Sequence, residues 1–299
     1  MDVKKTHQLA AHSGALYALT NGRTSNTLFI AGGDRVVAEW DLESGETNPF
    51  AIRTEATVYS LLNLENQLVI GTSNGSIHVI DLNSKKEVRH LKLHDKGVFH
   101  LYLDNEHTRV YACCADGTVS VWNPEEWSLL WHLNLSTEKI RRAAQNENAS
   151  LTAFACGDGK CIIIESKEHQ IIYELDAHHE SCNSLAFLPN GYLVTGGKDA
   201  FLRVWNGNEG FSLIKEIPAH NYAIYDIIVN SSSQWIATAS RDKTIKIWDL
   251  EFNEKPLRLD RAKKGGHLNS VNGLMMLDDN RFASCSDDRS VVIWQVEKD

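Results

Sequence analysis

The sequence predicts an all-β repeat fold, and three observations carry that prediction. Seven stretches close alike, on Trp40, Ile80, Trp122, Ile164, Trp205, Trp248 and Trp294, at separations of 40, 42, 42, 41, 43 and 46 residues. Six residues before each end-point stands Asp34, Asn74, Asp116, Asp158, Asp199, Asp242 or Asp288, without exception. Between these marks lie short apolar and β-branched runs such as NSVNGLMML, NRFASCS and SVVIWQV, divided by turns such as LPNGYL and LDDNRF. Such runs read as strands, because branched side chains pack well on a pleated surface. No stretch keeps a helical period. A unit near 42 residues with four strands selects a seven-bladed β-propeller of four-stranded antiparallel blades. Residues 1-299 are expected to form that one ring.

Composition agrees with a chain of this kind. At 299 residues roughly 75% of the unfolded surface can be buried, so the core needs no metal or disulfide staples. A hydrophobic fraction of 42% and a charged fraction of 23% exclude disordered and collagen-like classes. The net charge of -9 argues against general binding to phosphate backbones. The first residues, MDVKKTHQLAAHSG, contain no apolar stretch of the secretory kind, and no run approaches 18 apolar residues. The 6 cysteines are scattered, mostly in apolar runs such as VYACCADG and LTAFACGDG, and read as reduced core residues of a cytoplasmic protein.

A third mark is less regular. In five repeats a His stands 21 or 22 residues before the turn Asp: His12, His94, His178, His220 and His267. Repeats two and four carry Thr54 and Ser136 there. With Trp248-Asp249, Trp40-Asp41 and Gly266-His267 in place, the chain resembles the WD-repeat β-propeller family over essentially its whole length. Elsewhere Ala or Leu replaces the Gly, as in Ala11-His12, Leu93-His94, Ala177-His178 and Ala219-His220. The resemblance implies that each repeat begins with the outer strand of one blade and continues with the inner strands of the next. After Trp294 only QVEKD remains, so residues 3–10 are expected to be the outer strand of the blade built from residues 268–296. That pairing would leave no open sheet edge at the seam.

The same resemblance assigns the histidines a structural task. It implies a hydrogen-bonded chain of His, Ser or Thr, Asp and Trp inside a blade. Repeats five to seven have full sets: His178, Thr195, Asp199 and Trp205; His220, Thr238, Asp242 and Trp248; His267, Ser284, Asp288 and Trp294. Such a chain satisfies buried polar groups rather than activating a nucleophile. In repeats one to four Ile30, Ile70, Ala112 and Phe154 hold the hydroxyl position, so these blades are expected to rest on apolar packing alone. No metal site is expected. His178-His179 and Cys113-Cys114 are adjacent pairs that point apart, and Cys156 with Cys161 has no second pair to complete four ligands. No phosphate-binding or nucleophile motif is present, so no cofactor and no catalytic residue is expected.

The positions that the family uses for binding lie around the central channel. Carried over five residues after the His, they give Tyr17, Phe99, Asn183, Tyr225 and Asn272, with Tyr59 and Arg141 at the aligned places of the two repeats that lack the His. Three residues after it stand mostly small residues, with Lys139 the exception of charge. Just before the turn Asp, the third offset adds Lys198, Arg241 and Asp287. The small neighbours Ala15, Gly97 and Ala223 are expected to leave concave room between the rings. The loop RLDRAKKGG is expected to add Arg261, Lys263 and Lys264 to a basic side on the same face. These residues imply a non-catalytic scaffold that binds a protein or peptide, with an acidic peptide as one form of that partner, and no membrane association. The alternatives are a propeller hydrolase or lyase with its active site at the channel mouth, and nucleic-acid binding through the local basic patch.

Overall fold

A computed structural model describes residues 1–10, 12–230, 232 and 234–297. Ala11 of the first His dipeptide, and Lys298 and Asp299 of QVEKD, lie outside the described residues. The strands form seven four-stranded antiparallel sheets, and six of them are built from four consecutive strands. The seventh combines β26 (Val271–Met276), β27 (Arg281–Ser286) and β28 (Val291–Glu297) with the first strand of the chain, β1 (Asp2–Leu9). This is the expected all-β, seven-bladed ring. Its closing strand lies one residue earlier than the sequence suggested. At the seam Asp2 pairs with Glu297, Lys4 with Gln295 and Leu9 with Val291, with an irregularity between Lys5 and His7. Val3 and Leu9 are buried there, Val3 beside Trp294 and Phe282 and Leu9 beside Val291 and Ile293.

The invariant Asp or Asn of each repeat has a local cause. In all seven blades the residue after it, from Arg35 to Arg289, has a left-handed φ between 63° and 92°. Its N–H donates to the carbonyl three residues back, as Lys243 does to Ser240 and Arg289 to Ser286. This is a type I turn closed by a left-handed residue, a common three-residue hairpin loop. The carboxylate or amide oxygen then accepts from the backbone two residues on, for example from Thr244 N at 3.0 Å in blade six and Ser76 N at 3.3 Å in blade two. Asp and Asn suit a turn of this kind because their side chains reach that N–H. So the six-residue spacing survives even in repeats that lack the His.

The core lies between blades. Among the described residues seven apolar clusters are shared between neighbouring sheets, such as Val194 and Leu202 of blade five with Ile236 and Trp248 of blade six. Outer strands are mostly exposed; β13 (Leu129–Asn134) and β17 (Ile171–Asp176) each bury little of their surface. The six cysteines are buried free thiols.

Candidate functional site

Hydrogen-bonded chains tie the loop that enters a blade's first strand to the turn between its second and third strands. In blade six, His220 Nδ1 meets Asp242 Oδ2 at 3.0 Å, its Nε2 meets Thr238 Oγ1 at 2.8 Å, and Trp248 Nε1 donates to the same hydroxyl at 3.0 Å. Blade seven repeats this with His267, Asp288, Ser284 and Trp294, and blade five with His178, Asp199, Thr195 and Trp205. Burial pushes the His178 and His220 imidazoles down, although their Asp partners oppose it. Burial would raise Asp242 and Asp288, but the histidines together with hydroxyl and backbone N–H donors outweigh it and hold both well below the usual carboxylate range. In blade five Arg203 also donates to Asp199 at 2.8 Å and to Glu216 at 2.7 Å.

Blades one to four depart from the expected purely apolar packing. Blade three has a complete chain: His94 Nε2 meets Ser120 Oγ at 2.8 Å and Trp122 Nε1 donates to it at 2.7 Å. Ser120 is the cross-strand partner of Ala112, so the hydroxyl has moved across one rung to the neighbouring strand. Blade one keeps His12 on Asp34 at 2.8 Å, but His12 Nε2 and Trp40 Nε1 are buried with no partner. In blade four Ser136 replaces the His and donates to Asp158 at 2.9 Å. Blade two carries a different polar set around His78.

The channel is lined by the first strand of each blade: β2 (Leu16–Asn21), β6 (Val58–Leu64), β10 (Val98–Leu103), β14 (Ile140–Gln145), β18 (Cys182–Phe187), β22 (Ile224–Val229) and β26. In every one of them the pairing with the next strand slips between the first and third residues. The skipped residue is Tyr17, Tyr59, Phe99, Arg141, Asn183, Tyr225 or Asn272. A bulge re-aims the side chain it carries. Here all seven, with Asp287, line one cavity of about 590 Å³.

Within the cavity the rings touch one another. Tyr17 and Tyr59 meet edge-on at 5.7 Å, Tyr59 stacks on Phe99 at 5.3 Å, and the Arg141 guanidinium lies over Phe99 at 5.0 Å. The expected concave room between rings is therefore absent along this arc. Gly97 serves instead as a seat, since a Cβ there would stand 2.9 Å from the Tyr59 ring. Open space lies at the centre of the ring. Asn183 and Asn272 are partly committed to holding blades together: their amides donate to Ile224 O and Leu16 O, each at 2.9 Å. Asn272 also donates to Asp287 at 2.7 Å.

Arg141 differs from its neighbours. Its Nε is buried without a hydrogen-bond partner, and no carboxylate pairs with it among the described residues. Burial draws its pKa down, with the nearby Tyr225 and Tyr59 acting the other way. Lys139 feels burial and the Arg141 and Lys198 charges, all of which lower it, against Glu138. Lys139, Lys198 and Arg241 do not line the cavity. Lys198 is exposed and paired with Glu180 at 2.6 Å, and Arg241 lies over the Tyr222 ring at 5.8 Å. The RLDRAKKGG loop forms a short helix, α1 (Arg261–Lys264), away from the cavity. There Lys264 pairs with Asp2 and Gly265 O accepts from Lys5 at 3.0 Å.

Among the further residues that line the cavity, three are ionisable and were not reached by the binding offsets: His100, Arg142 and Asp226. Arg142 of blade four pairs across the channel with Asp226 of blade six at 2.8 Å. Asp226 also accepts from Leu274 N of blade seven at 2.9 Å. Burial raises Asp226, with Arg142 opposing, and burial drives His100 well down, with Arg142 adding to it. Ala143 N donates to His100 Nδ1 at 3.2 Å. Each of these residues sits one position after the skipped one, which was the available signal.

A ring of seven such blades, closed by its first strand and tied by His–hydroxyl–Trp chains, defines a WD-repeat propeller. The family model described as "WD domain, G-beta repeat" matches residues 85–123, 169–206, 211–249 and 261–295, and the chain belongs to that family. The four matched segments contain the Asp and Trp of the four blades whose chains are complete. Among relatives, it is 22% identical to Striatin-3 of Homo sapiens over 306 residues, covering 83% of this chain and 35% of that protein. It is likewise 22% identical to the striatin homolog of Dictyostelium discoideum, covering 83% of this chain and 30% of the relative. The U3 small nucleolar RNA-associated protein 21 of Saccharomyces cerevisiae is 27% identical over 138 residues, 46% of this chain and 15% of that protein. The chain thus spans about a third of the length of the striatins it matches. No helix among the described residues is long and apolar enough to cross a membrane.

Proposed function

We propose that this propeller is a non-catalytic interaction module that receives an acidic peptide or loop of a protein partner at the channel mouth. The observation that carries the reading is Arg141: a guanidinium in an aromatic-lined cavity, with a buried Nε lacking an acceptor. A guanidinium offers donors in a fixed fork that matches a carboxylate. A partner's Asp, Glu or C-terminal carboxylate would supply the missing acceptor. Tyr17, Tyr59, Phe99 and Tyr225 would flank it with large, rigid surfaces of the kind enriched at binding hot spots. Preformed strands keep the ordering cost of association low.

Binding rather than turnover is favoured by the commitments of the other titratable groups. Asp226 is held by Arg142 and by backbone N–H groups, and His100 by Ala143 N. Both side chains are thereby committed to contacts within the ring. Nucleic-acid binding is the less favoured alternative, since Lys198 is already paired and Lys139, Lys198 and Arg241 stand outside the cavity. The cytoplasm is the compartment this reading assigns, in keeping with six free thiols.

The test is capture of partners from the native cell, comparing wild type with a Tyr59→Ala/Arg141→Ala double variant. The partner should be lost with the double variant. Glu126→Ala is the control on the opposite face. Arg23 is unsuitable as a control on that face, because it holds the buried Glu39 carboxylate through its Nε at 2.8 Å. Retention of the same partner by the double variant would reject the site.

A further inference from the structure

The second blade lacks the family's His and Trp, yet its interior is not apolar. His78 occupies the rung opposite Ile70, the place that Ser120 holds in blade three. It is 7% exposed. Its Nδ1 lies 2.7 Å from Glu87 Oε1, and its Nε2 has no hydrogen-bond partner and faces Glu55 Oε1 at 3.3 Å. His90, its direct cross-strand partner on β9 (Lys86–Lys92), stacks on it with ring centres 4.6 Å apart. Glu55 comes from the loop before β6, one residue after Thr54. One donor atom from each of Glu55, His78 and His90 lies within 4.8 Å of the other two.

We propose that Glu55, His78 and His90 form a binding site for a zinc-class divalent metal ion, with Glu87 orienting His78 from behind. Two imidazoles and one carboxylate are a common three-ligand set for zinc, leaving a fourth position open. Donors about 2.0–2.1 Å from a tetrahedral ion stand roughly 3.3–3.4 Å apart, which is the separation of His78 Nε2 from Glu55 Oε1. A ligating histidine typically gives its other N–H to a carboxylate, which fixes the tautomer and raises its basicity. Glu87 is in that position. His90 and Glu55 are exposed, so their side chains can close on an ion without moving the backbone. The comparable cluster of His94, Cys114 and Asp116 lacks this character: both imidazole nitrogens already have partners, and burial pushes the Cys114 thiol far up. The site lies apart from the channel cavity and does not depend on the proposed binding role.

The experiment titrates zinc chloride into the tag-free full chain, after stripping with chelator, and follows heat and thermal midpoint. One ion per chain is expected, with a higher melting temperature on loading. His90→Ala and Glu55→Gln should each weaken uptake at least tenfold, and Glu87→Gln by about 10–100-fold. His179→Ala, exposed and elsewhere, should leave uptake unchanged. Melting temperatures in chelator establish that each variant is folded. No uptake by the folded wild type would mean that His78 serves only as a structural partner of Glu87, and it overturns the proposal. Uptake that survives either His90→Ala or Glu55→Gln unchanged overturns it as well.

Discussion

In blade three Ser120 does from the third strand what Thr195, Thr238 and Ser284 do from the second. Both positions belong to one cross-strand rung, Ala112 with Ser120 and Thr195 with Arg203. What the chain needs is an oxygen between the imidazole and the indole, and either strand can supply it. Blade one has neither: Ile30 faces Ala38, and the His12 Nε2 and Trp40 Nε1 are left buried and unpartnered. An unmade buried hydrogen bond costs about 1–3 kcal/mol, and a made one contributes about 1 kcal/mol. Ala38→Ser places a hydroxyl where Ser120 stands in blade three. It should raise stability by about 1 kcal/mol in urea unfolding. A variant no more stable than wild type would show that the oxygen's position in the rung matters more than this account allows.

At the level of the blade, the turn Asp carries two loads that come apart. The first, closing the hairpin between the second and third strands, is present in all seven blades and explains the unbroken six-residue spacing. The second, holding a His, is present only where a His exists. Asp242 serves both: it accepts from Thr244 and Asn221 backbone N–H groups and meets His220, with its side chain 6% exposed. Asp158 serves the turn through Lys160 N and takes only the exposed Ser136 hydroxyl. Asp242→Ala should therefore cost roughly 1–3 kcal/mol more than Asp158→Ala, compared by urea midpoints. Equal costs would mean that the turn, not the chain, supplies the stabilisation. This division also marks what could be read from sequence. The unit, the turn and three of the four complete chains are contiguous patterns, visible as spacings. Ser120 was missed because strand pairing, not sequence distance, makes it equivalent to Thr195. The His78 cluster is likewise a product of strand pairing and leaves no contiguous ligand spacing in the sequence. His78 and His90 meet only across two paired strands.

Over the whole ring, closure and the channel decide the outcome. The ring position itself was readable, since the five-residue offset found all seven skipped residues. How the side chains fill it was not. That the aromatics touch, and that Gly97 seats Tyr59, follows from the approach of neighbouring blades. Arg142 and Asp226, 84 positions apart, pair only because the circle brings blade four opposite blade six. Deletion of residues 1–9 removes β1, exposes the β28 edge and uncovers the surfaces around Val3 and Leu9. It should lower the melting temperature of the whole molecule and promote association through the open edge. An unchanged melting temperature would contradict the seam. The central claim is that Arg141 is an anchor for a partner's carboxylate, and its most direct test is one affinity. The captured partner segment is titrated against wild type, Arg141→Ala and Glu126→Ala. The account predicts a loss of about 2 kcal/mol, roughly 30-fold, for Arg141→Ala at an unchanged melting temperature, and no loss for Glu126→Ala. Equal affinity of wild type and Arg141→Ala, or a loss confined to Glu126→Ala, would contradict it.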